Sequence, residues 1–433
     1  DAKRVALLAD QLEPVLNDWK PDALILYDDG FNYLTKMCLG VMREAALRMV
    51  ELGRAANCFT AVNSSDSSDH PESYLSAGCD AVVLGEGETS LRELLDRRER
   101  REAWSDVSGI VYTEKGSIRS NPKRPVLRDL DSLPLPAWDL VDVAPYRAIW
   151  KKSQGFLSLN IATTRGCPFK CDWCAKPIYG NRFNSRSPAH VVRELKLLHD
   201  HFAPDHIWMC DDIFGLKPGW VRGFRDELRN EGLTIRYKIQ SRADLLLEAG
   251  TIDDLVATGL DEVWIGAESG SQRILDAMDK GITVEQIGTA RQLLKEKGVR
   301  TGFFLQFGYL GETDADIEAT LEMVERLKPD DIGVSVSYPL PGTRFFEKVK
   351  AGIGDKANWK DSDDLALLFR NTHRPAYYKR LHRLVHKRFR RDQALVELRA
   401  AISGHRADLR RAMCAIYYLP AAGIDALRLS RQR

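Results

Sequence analysis

The sequence predicts an α/β chain: a doubly wound, largely parallel sheet first, then a partial barrel of six β/α units, then a helical C-terminal stretch. Three observations carry this expectation. Short apolar runs alternate with helical stretches near the start, the alternation restarts at Leu157 and runs through six units, and after PGTRFFEKV the pattern is helical to the end. The expected divisions are residues 1–125 for the sheet domain, 126–152 for a linker, 153–345 for the barrel and 346–433 for the helical region.

In the first division ALILY (23–27), CFTAV (58–62) and AVVLG (81–85) are apolar on both faces and read as buried parallel strands. KMCLGVMREAALRMVELG has apolar spacings of three and four and reads as a helix ending at Gly53. GIVYTEKGSI reads as a hairpin turning at Lys-Gly. RPVLRDLDSLPLPAWDLVD is rich in Pro and Asp without a sustained period, so a linker is expected there. In the barrel the strands are LSLNIAT, HIWMC, IRYKIQ, EVWIGA, TGFFLQFG and IGVSVS. PAHVVRELKLLHDHF, PGWVRGFRDELRNEG, ADLLLEAGTIDDLVATG and TVEQIGTARQLLKEKG read as helices between them.

Bulk properties narrow the classes. The 433 residues exceed one ordinary domain, and 44% hydrophobic with 29% charged residues is a soluble globular composition. A net charge of +1 gives no reason to expect nucleic acid as a partner. No run of about 18 apolar residues suggests a span, and DAKRVALLADQ does not read as a signal peptide. The absent initiator Met suggests that an upstream piece has been removed. Eight cysteines are laid out as three close together and five scattered, unlike a disulfide framework, so a reducing cytoplasm is expected.

The three are Cys167, Cys171 and Cys174, in TTRGCPFKCDWCAKPIYG after the first barrel strand. Spacings of three and two residues bring three thiolates to one small inorganic centre. Three ligands leave one iron of a cubane open to a substrate-like molecule, whereas electron-transfer clusters are closed by four. Zinc is the bland alternative, but it wants a fourth protein ligand, and His190, His199 and His201 fall on or near the next helix. Polar residues also end the barrel strands: Asp211-Asp212, Gln240-Ser241-Arg242, Glu268-Ser269-Gly270, Gln306 with Gly308-Tyr309, and Ser337-Tyr338-Pro339. Chemistry collects at that rim of a parallel barrel.

CxxxCxxC with an aromatic, here Trp173, before the last Cys resembles the radical S-adenosylmethionine (SAM) superfamily. The resemblance implies a 4Fe–4S cluster on Cys167, Cys171 and Cys174 whose open iron binds SAM. It also implies that the reduced cluster cleaves SAM to methionine and a 5′-deoxyadenosyl radical. SAM asks for a carboxylate, an Arg and ribose acceptors, and Glu268, Arg242 and Asp212 supply those types. WIGAESGSQRILDAMDKGIT is similar to a segment of this superfamily in which Glu and Ser contact SAM, which carries that role to Glu268 and Ser269; Trp173, Gln240, Arg242 and Asp212 complete the expected cofactor-binding set. The Gly-Gly-Glu string common after the second strand is replaced by MCDDIFG, which leaves the ammonium ligand open.

VVLGEGETSLRELLD, the DLDSLPLPAWDLVD linker, GYLGET and YPLPGT resemble the subgroup with an N-terminal Rossmann-like cobalamin-binding domain, which includes an anaerobic ring cyclase and many methyltransferases. The resemblance implies cobalamin contacts from Asp28-Asp29-Gly30, Asn63 to Ser65 and Gly85-Glu86-Gly87. It implies a small-molecule substrate and an electron donor such as flavodoxin or ferredoxin. Two departures stand against it. The first strand and helix of that domain are reduced, and AVNSSDSSDHPESYL replaces a Gly-Gly-Pro-His loop, with no Asp-x-His-x-x-Gly motif to ligate cobalt. A fold of this type that has lost its ligand is the alternative. A methylthiotransferase would need a second cluster, for which Cys38, Cys58 and Cys79 are poorly placed.

From Arg374 onward fifteen Lys or Arg stand against four Asp or Glu, and RPAYYKRLHRLVHKRFRRDQALVEL reads as a helix with a basic face, either solvated or docked on an anionic membrane or acidic partner. The function expected first is a cobalamin-dependent methyltransferase acting on an unactivated carbon. A radical SAM cyclase or oxidoreductase on a tetrapyrrole or lipid, and a non-catalytic cluster-binding regulator, are the alternatives.

Overall fold

A computed structural model describes residues 9–27, 39–174, 178–340, 342–353, 367, 369 and 371–432. Two compact units make up the chain: Asp1–Arg128 with Ala175–Arg182 and Leu340–Asp364, and Asp129–Cys174 with Phe183–Pro339 and Leu365–Arg433.

The first unit is built on β1 (Ala23–Tyr27), β2 (Phe59–Asn63), β3 (Ala81–Val83), β4 (Ile110–Glu114) and β5 (Ser117–Ser120), adjacent in that order. The first three are parallel, and β4 and β5 add an antiparallel hairpin at the edge. Strand alternation sends side chains to both faces, and both are covered. Phe59, Ala61 and Val83 pack with Leu94 of helix Gly87–Glu99, while Val62, Val82 and Val111 pack with Val50 of helix Leu39–Ala55 and with Tyr74. The hairpin turns at Lys115 (φ 50°) and Gly116 (φ 76°), two consecutive left-handed residues that match the twist of the strands.

Helix Leu39–Ala55 runs past Gly53, where it was expected to stop. Asn57, at φ 59°, supplies the left-handed residue that ends it. Gly53 instead permits close packing, since a Cβ there would lie 2.7 Å from Leu24 and 2.8 Å from Thr60. Residues 126–152 are also more ordered than a linker. They hold the short turns Leu130–Ser132 and Trp138–Leu140 and most of helix Ala144–Gln154, which Pro145 helps start and Gly155 closes.

The second unit contains β6 (Ser158–Ile161), a two-residue ribbon of β7 (Thr164–Arg165) with β8 (Asn184–Ser185), then β9 (His206–Met209), β10 (Tyr237–Ser241), β11 (Leu260–Glu268), β12 (Arg300–Phe307) and β13 (Asp331–Val336). The six long strands are all parallel and ordered β6-β9-β10-β11-β12-β13, so each pairs with the next in sequence, and the sheet curls into a half-barrel. Helices Pro188–Phe202, Trp220–Asn230, Val284–Glu296 and Asp314–Leu327 form crossovers. The stretch ADLLLEAGTIDDLVATG, expected as one helix, divides at Gly250 (φ 80°) into Ala243–Leu246 and Thr251–Ala257.

Helix Pro375–Ile402 follows, then Leu409–Met413 and Ala415–Ser430. The basic face of the long helix is largely engaged within the unit. Arg388 pairs with Glu318 at 3.2 Å, Arg391 with Glu325 at 3.2 Å and Lys387 with Asp425 at 2.6 Å. Acidic partners on helix Asp314–Leu327 and on the last helix consume charges that, read along the sequence, face solvent or a membrane. Among the described residues no helix is long and apolar enough to cross a membrane.

Candidate active site

The cysteine loop leaves β6 at the C-terminal rim of the half-barrel, and its neck is closed by the β7–β8 ribbon. Cys167, Cys171 and Cys174 are partly exposed thiols outside any disulfide, and a turn joins the last two, with the Cys174 amide donating to the Cys171 carbonyl at 3.3 Å.

Three attachments hold the loop to the rim. At its base the buried Asp211 carboxylate accepts from Thr163 N, Thr163 Oγ1 and Thr164 N at 2.6, 2.5 and 2.8 Å. Burial pushes Asp211 up to about 6, against the lowering effect of those donors. At the middle, the Asp172 amide donates to Met278 O at 3.0 Å, and the Tyr309 hydroxyl, beyond β12, contacts both Asp172 Oδ2 and Ala277 O at 2.7 Å. The third attachment is cationic. The Arg242 guanidinium lies 3.8 Å over the Phe169 ring, and the Lys280 ammonium lies 6.0 Å from the centre of the Trp173 ring.

Arg242 and Lys280 are themselves fixed. Arg242 donates to Asp244 and to the carbonyls of Lys280 and Gly281. Lys280 forms a buried ion pair with Glu268 at 2.8 Å, the two side chains 8% and 6% exposed. Burial pulls the Lys280 ammonium down, but the charges of Glu268 and Cys171 outweigh it and its net shift is upward. The pair depends on a bulge. Registration with β12 slips between Gly266 and Glu268, and Glu268 sits at φ 59°, a left-handed conformation that costs a residue with a side chain. Gly266 makes room for it, because a Cβ there would lie 2.7 Å from Lys280 Nζ and 3.0 Å from Glu268 Oε1.

The expected cofactor-binding residues thus divide. Trp173, Arg242 and Glu268 come together beside the cysteine loop. Gln240 is half-buried at the end of β10, and Asp212 is exposed beside the buried Asp211. Ser269 is fully buried, its Oγ bonded to Thr320 Oγ1 at 3.1 Å and accepting from Ser271 N at 3.1 Å. It braces the segment after Glu268, as does Asp316, which accepts from Ser271 Oγ at 2.6 Å and pairs with Arg273. Lys280, Asp172 and Phe169 were missed by sequence reasoning. Lys280 lies twelve residues beyond Glu268, across a short helix, and no spacing rule links the two.

The donor set fits a cluster and a charged ligand. Three thiols share a loop whose aromatic rings lie against Arg242 and Lys280, which sets cations beside the donor atoms. Trp173 Nε1 and Gln306 Oε1 are buried without a hydrogen-bond partner among the described residues, leaving two polar atoms for a ligand.

In the first unit Asn63, at the end of β2, donates to Val83 O at 2.9 Å and Gly85 O at 3.0 Å, and Ser64 caps helix Ser65–Asp69. Glu86 accepts from the Leu127 amide at 2.5 Å. Among the described residues a Cβ at Gly85 would meet only Ile178 O, at 3.6 Å. Asp28-Asp29-Gly30 and Cys38 lie outside the described residues. Cys58 and Cys79 sit in separate apolar clusters, donating to Pro21 O and Ala81 O, and burial pushes the Cys79 thiol up to about 12. Neither is suited to be a thiolate ligand.

Residues 161–324 match the radical SAM superfamily. The half-barrel is a radical SAM domain. Among curated relatives, an uncharacterized methyltransferase of Pyrococcus horikoshii is 33% identical over 275 residues, covering 62% of this chain and 57% of that one. The anaerobic magnesium-protoporphyrin IX monomethyl ester cyclase of Rubrivivax gelatinosus is 28% identical over 282 residues, covering 64% of this chain and 49% of that one. The chain therefore spans about half the length of these relatives. Among solved structures, the cobalamin-dependent S-adenosylmethionine radical enzyme OxsB with aqua-cobalamin bound shares the fold, with TM-score 0.69 and 19% identity, over 97% of this chain and 66% of that one.

Proposed function

We propose that Cys167, Cys171 and Cys174 hold a 4Fe–4S cluster whose open iron takes SAM, and that the N-terminal unit holds cobalamin, making the chain a methyltransferase for an unactivated carbon of a small-molecule substrate. One observation supports this above the rest: a three-thiol loop tied to the radical SAM rim by Asp211, by Asp172–Tyr309 and by two cation–aromatic contacts. When bound and reduced, the cluster supplies the electron for SAM cleavage. A flavodoxin or ferredoxin would deliver it, and cysteines held as thiols rather than disulfides fit a reducing cytoplasm.

The residues then have distinct tasks. Arg242 and Lys280 offset the negative charge of three thiolates. Glu268 takes the SAM ammonium while keeping Lys280 as its buried partner. Trp173 Nε1, Gln240, Gln306 and Asp212 offer polar contacts around the nucleoside, and Ser269 supports Glu268 from behind. In the first unit Asn63 to Ser65 and Gly85-Glu86-Gly87 are the residues that would hold cobalamin. The relationship to a methyltransferase and the fold shared with OxsB favour this reading. The relationship to the Rubrivivax cyclase gives cyclisation as the second reading.

Anaerobically reconstituted protein should carry about four irons, and its reduced paramagnetic resonance signal should change on adding SAM. Survival of that SAM-dependent change after Cys167, Cys171 and Cys174 are all replaced by Ala would end the cluster assignment. Added cobalamin should be retained with its visible spectrum. If it is not, methyl transfer falls while the cluster and SAM reading stands.

A further inference from the structure

The last helix, Ala415–Ser430, turns Ala415, Ala422, Asp425 and Leu429 inward. Its other face carries Ile416, Tyr417, Pro420, Ile424 and Leu427 at helical spacing, continued backward by Met413. Ile416 is 78% exposed, Met413 70% and Leu427 65%. Met413, Ile416, Tyr417, Pro420 and Ile424 line one shallow apolar depression. Scattered exposed apolar residues are ordinary, but a continuous apolar stripe marks an interaction surface.

The charges around this stripe have one sign. Arg410 and Arg411 precede it and Arg428 and Arg431 follow it, all exposed. The helix has a single acid, Asp425, which is buried and paired with Lys387 at 2.6 Å. The nearest acids on the N-terminal side are occupied: Asp408 caps helix Leu409–Met413, and Glu397 lies 4.0 Å from Arg411.

We propose that this face docks the protein on an anionic lipid bilayer. The apolar side chains enter the interface and the arginines at both ends meet phosphate headgroups. The helix lies in the plane of the surface, because only one face is apolar to the outside and its 16 residues are short of a span. The charge pattern argues against a second copy as the occupant. With arginines at both ends of the stripe, parallel and antiparallel pairing alike set arginine against arginine. The surface is thus the apolar last helix, where the sequence alone had pointed to the basic helix before it.

Vesicle flotation of the full chain tests this, using phosphatidylcholine alone or mixed with phosphatidylglycerol. The chain should float with the mixed vesicles, be released by salt, and bind poorly to phosphatidylcholine alone. Ile416→Asp with Leu427→Asp should abolish flotation; the milder Ile416→Ser with Leu427→Ser serves if circular dichroism shows the aspartate variant unfolded. Arg428→Glu with Arg431→Glu should weaken binding to the mixed vesicles about tenfold or more. Absence of flotation with either vesicle, or equal flotation with both, overturns the proposal. So does a wild-type dimer in sedimentation that the Ile416 and Leu427 substitutions convert to monomer, which would make the occupant a second copy.

Discussion

The two α/β units both place polar residues at the C-terminal ends of parallel strands, yet they do so by different means. At the barrel rim the organising groups are buried charges: Asp211, Arg242 and the Glu268–Lys280 pair. At the ends of β2 and β3 the rim itself is an amide, serines and a glycine turn, with Asn63 stitching neighbouring loops by backbone contacts, and the charged pair of Asp66 with Arg43 is set back in the helix that follows β2. Fixed charges suit a small centre that must be held at one point and balanced electrostatically. Neutral small residues suit a large ligand that makes many weak contacts. The comparison predicts that substitutions at the rim act through electrostatics and those in the first unit through packing.

The largest effect should come from splitting the rim ion pair. Lys280→Met leaves the Glu268 charge buried without its partner and should cost about 3–5 kcal/mol, whereas adding Glu268→Gln should restore much of it. Denaturant melts of the three variants check this. If the double variant is as unstable as the single one, the pair is not electrostatic. Glu268→Gln alone should weaken SAM binding with iron content unchanged, read by isothermal titration on reconstituted protein.

Next comes the clamp on the cysteine loop. Tyr309→Phe removes the contacts to Asp172 and Ala277 and should cost about 1–3 kcal/mol. It should also quicken iron loss to a chelator, a readout that a purely structural tyrosine would leave unmoved. In the first unit Asn63→Ala strips donors from two carbonyls at a cost of about 1–3 kcal/mol, with cobalamin retention reduced and iron content normal. Loss of iron in that variant would collapse the distinction between the two regions.

A pH dependence sharpens the comparison from another side. Glu312 is buried in the loop after β12, accepting from Gly308 N at 2.7 Å, and burial pushes it up to about 8. Unfolded, it titrates near about 4.3. Between those values the folded state holds a proton that the unfolded state has released, so its contribution is present at low pH and is lost as pH rises toward 8. Glu312→Gln should therefore gain in melting temperature relative to wild type as pH rises from mildly acidic to mildly basic. A gap that does not vary with pH would mean that Glu312 is ionised in the folded protein.

Much of this was legible in advance because it is local. All six parallel strands of the half-barrel announce themselves through apolar runs within a residue or two of their observed bounds, and the Lys-Gly hairpin through its turn chemistry. The cysteine spacing is likewise a property of eight consecutive residues. Capping showed where such reading fails: Asn57, not Gly53, ends helix Leu39–Ala55, because an open backbone at a glycine can serve packing as well as termination.

What only the tertiary structure decided is which distant groups share a point in space. Tyr309 reaches Asp172 across 137 positions and Asp211 reaches Thr163 across 48. Lys280 finds Glu268 only because a bulge at Gly266 turns a residue into a left-handed conformation. The basic helix near the C-terminus finds acids on helix Asp314–Leu327, leaving the apolar last helix exposed. Sequence periodicity reports the face a side chain takes on its own element. The charge or ring it meets is set by loop closure and packing, which no local pattern encodes.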